Sequence, residues 1–174
     1  MNVALAYETA LGIVIRQYAD IGGDTHIRVW RNLRFDHRWK ADEDRHFPCV
    51  DIRAGIAEPG NDQHTLRLEG QVQCYTNTAD DQSHSVISGI LEEVHHVLNK
   101  LFYGALSIAG NIDQIILGTG GAELKLFYDT MVDMCGSEWG FGGFTFGTGI
   151  MPMDEAGFNA AGLSLVLHYR RSDY

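Results

Sequence analysis

Residues 64–101, HTLRLEGQVQCYTNTADDQSHSVISGILEEVHHVLNKL, change their period in mid-course. From His64 to Thr76 the pattern alternates. Leu66, Leu68, Gly70, Val72 and Cys74 fall on one side, and Arg67, Glu69, Gln71 and Gln73 on the other. Strict alternation is the signature of a strand with one face buried and the other wet. Beyond the polar NTADD, the apolar residues Ile87, Ile90, Leu91, Val94, Leu98 and Leu101 form one helical stripe. That spacing predicts a long amphipathic helix over about 79–103. Between the two, Thr78 and Asp81 have capping-box spacing, and Asp80 with Ser83 offers a second cap. The acids of the turn therefore have a local role, satisfying free amides and favouring the helix dipole.

The flanking segments extend this unit. PCVDIRAGI alternates Cys49, Asp51 and Arg53 with Val50, Ile52 and Ala54, and Pro59-Gly60 punctuates its end. With the long strand it predicts a hairpin. Upstream, Val3, Tyr7, Ala10, Leu11, Val14 and Tyr18 predict an N-terminal amphipathic helix, closed by IGGD, and Ile27–Trp30 a short strand. Downstream, DQIILGT reads as a strand, AELKLFYDTMVDMCG is ambiguous between strand and helix, and FNAAGLSLVLHYRR reads as a final strand. The expected fold class is α+β: a single domain over 1–174, with a mostly antiparallel or mixed sheet covered by the N-terminal helix and the long central helix.

Two segments do not fit a regular period. Six of the 13 Lys and Arg lie between Arg28 and Arg45, interleaved with Trp30, Phe35 and Trp39. A charged loop this long is usually functional or mobile, and a solvated hairpin excursion is the competing reading. We expect an arm at about 31–47 that meets a partner or neighbouring subunit through Arg31, Arg34, Phe35, Arg38, Trp39 and Lys40. The other segment, glycine-rich and aromatic, predicts a hairpin at about 137–151 whose contacts come from Trp139, Phe141, Phe144 and Phe146.

Composition narrows the function classes. The chain has 174 residues, 45% of them hydrophobic, enough for a substantial core. Its net charge of −10 argues against a general nucleic-acid coat, which neutralises phosphates with Lys and Arg. The first helix lacks a basic leader and meets Glu8 early, so it is a poor signal peptide, and no run approaches the roughly 20 apolar residues of a membrane span. Cys49, Cys74 and Cys135 have no metal-binding spacing and are expected to be reduced thiols.

Residue patterns that carry chemistry are sparse. Glu92 and His96 stand four apart, but EEVHH lacks the two histidines four apart of a zinc helix. Glu92, Glu93, His95 and Asn99 are read as a polar helix face. No GxSxG elbow, P-loop or GxGxxG is present. We expect no catalytic residue, no metal and no cofactor.

The order from Phe47 to Leu101, a proline-led strand FPCVDIRAG, the long strand HTLRLEGQVQCYTNT and the helix ADDQSHSVISGILEEVHHVL, resembles the tail terminator (tail completion) proteins of long-tailed bacteriophages. The final LSLVLHYRR suits that family too, where it adds to the same sheet. The resemblance implies a virion protein, assembled in the host cytoplasm, that forms a six-copy ring at the head-proximal end of the tail tube. Its partners would be further copies of itself, the tail tube protein and the head-neck connector, with DNA passing through without specific binding and no membrane involved. Another neck protein, a small hydrolase using His46 or His64 with Asp51 or Asp62, and an adaptor with a peptide-binding edge strand are the competing readings.

Overall fold

The computed structural model describes residues 3–23, 25–29, 47–59, 65–136, 139–146, 150–155 and 158–171. Helix α1 (Val3–Tyr18) leads to β1 (His26–Val29), β2 (Cys49–Pro59) and β3 (Thr65–Asn77). Then follow α2 (Ser85–Ser107), α3 (Ile112–Ile116), α4 (Ala122–Cys135), β4 (Trp139–Phe146), β5 (Ile150–Glu155) and β6 (Phe158–Arg171). The strands make one mixed sheet in the order β1-β2-β3-β6-β4, with β5 also on β6. Among the described strands only β1 and β2 run parallel; β3 pairs antiparallel with β2 on one side and with β6 along its whole length on the other. Parallel neighbours need a connection of a dozen or more residues. The length of the segment between Val29 and Cys49 thus has a topological reason.

The fold is α+β, with one core between the sheet and its helices. Alternation decides which strand residues enter it. Val50 and Ile52 of β2, Leu68, Val72 and Cys74 of β3, and Ala161, Leu163, Leu165 and Leu167 of β6 are buried together against the helices. Helix α1 contributes Ala6, Tyr7, Ala10, Leu11, Val14 and Ile15, and α2 contributes Ile87, Ile90, Val94, Val97, Leu98 and Leu101. The ambiguous segment is the helix α4: Leu124, Phe127, Tyr128 and Met131 recur at helical spacing, and all four are buried. Tyr7 sets the depth at which α1 sits. Its ring meets Phe127 edge-on at 5.9 Å and lies flush over Gly70, where an added Cβ would fall 2.8 Å from the ring.

Three expectations need correction. The long helix covers 85–107 rather than 79–103, because Ala79–Ser83 are held in turns by a buried network described below. DQIILGT is not a strand but the one-turn helix α3, started by the Asn111 side chain, which accepts hydrogen bonds from the amides of Asp113 and Gln114. Its apolar run misleads because only Ile115 is buried, while Ile116 and Leu117 face solvent. Within the expected hairpin at 137–151, the described strands do not pair with each other. Both β4 and β5 pair with β6, β4 opposite Leu165–Arg171 and β5 opposite Phe158–Gly162. At 14 residues β6 is long enough to carry β3 along one edge and both short strands in succession along the other.

Candidate functional site

The β3–α2 junction is the most polar buried place among the described residues. Thr76, Asn77, Asp81 and Asn159 are all buried. Asp81 organises them. Its Oδ2 accepts from the Ile87 amide at 2.9 Å and the Thr76 hydroxyl at 2.9 Å, and its Oδ1 accepts from the Val86 amide at 3.0 Å. Two of the free amides of the first turn of α2 thus find a carboxylate that comes from before the helix, not from its N-cap. The N-cap position itself is His84, in a left-handed conformation and without a side-chain cap bond. Asn159 of β6 closes the network: its Nδ2 donates to the Asp81 carbonyl at 2.8 Å and to the Thr76 hydroxyl at 3.3 Å. Thr78 donates to Asn159 Oδ1 rather than to the helix, and Asn77 Oδ1 accepts from the Ala79 amide at 2.9 Å.

Desolvation alone would raise the Asp81 carboxyl. The hydrogen bonds from Val86, Ile87 and Thr76, together with nearby His84, outweigh it and hold the group below its ordinary value. A carboxylate with its oxygens so engaged is a structural anion. It is poorly placed as a general acid or base, which needs a free lone pair and a pKa near the working pH.

The polar helix face is mixed in role. Glu92, His95 and His96 are exposed, and Asn99 Nδ2 lies 3.1 Å from His95 Nδ1. Glu93 is half-buried and accepts from the Asp20 amide at 3.4 Å, tying α2 to the end of α1. Among the described residues, no group of three or more His, Cys, Asp or Glu is gathered as metal ligands would be. No helix among them is long and apolar enough to cross a membrane.

Arg31, Arg34, Phe35, Arg38, Trp39 and Lys40 lie outside the described residues, as do His46, Asp62 and His64. Trp139, Phe141, Phe144 and Phe146 are described as backbone of β4, opposite Arg171, Tyr169, Leu167 and Leu165. Asp51 sits on the sheet face away from the helices, only 4% exposed, with its Oδ2 3.6 Å from Arg53 Nη2. Its charge is felt by Tyr75, which meets Phe158 edge-on, and Phe158 in turn stacks on Phe47. The three cysteines form no disulfide, and burial with neighbouring Cys49 pushes Cys74 up to about 12.

Several residues that fix the architecture carry no signal in the sequence. Glu8 looks like a stray acid in an apolar helix, yet it is buried and accepts the Ala54 amide at 2.7 Å, beyond the reach of β1. Asn159 stands 78 and 83 positions from the groups it binds. Gly104 of α2 touches the turn before α4 so closely that a methyl there would collide with the Gly120 carbonyl oxygen. At the end of α2 and at the end of α3, Tyr103, Leu106, Ile116 and Leu117 are exposed, Leu117 by 74%. No protein-family model matches the chain, and no curated protein is significantly similar to it.

Proposed function

We propose that the chain is a structural assembly protein of the phage tail-terminator kind. On this reading, six copies close into a ring at the head-proximal end of a tail tube, end its growth and meet the head-neck connector. It is made in the host cytoplasm and ends in the virion. The observation that supports this reading is the order of elements around the central unit. A leading helix and the short β1 are followed by a strand beginning just after Pro48, then a long strand that ends in a polar turn, a long helix, and a closing strand that joins the same sheet beside β3. The buried polar groups of the β3–α2 turn hold that unit together. The acidic balance of the chain suits a passage for DNA, because like charge keeps the polymer from adhering.

A ring needs heterologous interfaces that close. The test is solution mass over a wide concentration range, with negative-stain images of the same sample, alone and with tail tubes of the cognate tube protein. Closed rings of about six copies, or caps on tube ends, are the expected result. A monomer at every concentration that leaves tube ends bare overturns the proposal.

A further inference from the structure

We draw no further inference here: the strongest candidate, the set of exposed apolar residues Tyr103, Leu106, Ile116 and Leu117 at the ends of α2 and α3, is an unpartnered surface, and nothing in the structure shows what covers it.

Discussion

The two ends of α2 are fixed by opposite physics. At its start, one buried carboxylate binds two helix amides and a strand hydroxyl, and Asn159 stitches the turn to β6. At its other end the joint is made by close approach instead. Gly104 lets the helix backbone press against the backbone of Gly120, and Leu124 packs beside them. The polar end tolerates lost partners poorly, since each broken bond leaves a buried donor unpaired. The apolar end tolerates bulk poorly, since a backbone carbonyl cannot step aside as a flexible side chain does.

This contrast is tested most severely by adding one methyl group at each of two glycines of the same helix. Gly104→Ala drives a Cβ into the Gly120 carbonyl, whereas Gly89 is exposed with nothing near its would-be Cβ. Gly104→Ala is expected to cost about 3 kcal/mol or more, with Gly104→Val worse. Gly89→Ala should instead stabilise by about 0.5–1 kcal/mol through helix propensity. Denaturant midpoints measured at constant m-value decide it. Equal effects at the two sites would show that the close backbone contact does not govern the joint.

At the polar end, Asp81→Ala strands the amides of Val86 and Ile87 and the Thr76 hydroxyl together. The expected loss is about 2–4 kcal/mol. Asp81→Asn keeps the shape and one acceptor oxygen, so it should lose less. The asparagine variant also differs from the parent in acid. Asp81 is held below its ordinary value in the fold, so it binds fewer protons folded than unfolded in the carboxylate range. Its stabilisation is therefore complete above the unfolded value and disappears as pH falls through the folded one. Urea unfolding as a function of pH should show a shallower loss of stability below about pH 5 in Asp81→Asn than in the parent. An unchanged acid limb would place the acid sensitivity elsewhere.

Tyr7 adds a third kind of site to the comparison, buried and polar yet without a bond. Its hydroxyl has no hydrogen-bond partner among the described residues, and desolvation drives its ionisation far upward. Tyr7→Phe keeps the edge contact with Phe127 and the seat over Gly70 and removes only the oxygen. The expected change is neutral to about 1 kcal/mol stabilising. A loss of that size in thermal unfolding would mean that the hydroxyl is bonded after all.

These sites also mark how far the sequence can be read. Period-two and helical patterning locates α1, β2, β3, α2 and β6, because a residue's alternation with its neighbours survives into the fold as burial. The patterning misleads where an apolar run is too short to settle its period, as at Ile115–Leu117, one turn of helix with two of its three side chains in water. It also misleads at β4 and β5. Their partner is β6, and only tertiary pairing reveals it. The cap of α2 is half legible. Spacing picks out Asp81, but its service to amides five and six residues on, and its dependence on Asn159, are long-range facts. Gly104 and Gly120 look like any other glycines until two backbones meet.

A comparably small effect concerns how α2 stops. After Ser107 the amide of Ala109 bonds the Leu106 carbonyl and the amide of Gly110 bonds the Ala105 carbonyl, both at 3.0 Å. This paired closure puts Ala109 in the left-handed position, at φ 50°, where glycine is the usual occupant. The neighbouring glycine therefore stands one residue too late to relieve the strain. A Cβ in that region costs about 1–2 kcal/mol against the following carbonyl. Replacing it with glycine returns part of that gain as extra freedom in the unfolded chain, about 0.4–1 kcal/mol. Ala109 is exposed, so no packing is lost with the methyl. Ala109→Gly is thus expected to stabilise by about 0.5–1 kcal/mol, read as a small rise in denaturant midpoint. A fall instead would mean that the helix end is set by the Gly104–Gly120 contact, with the left-handed turn merely following it.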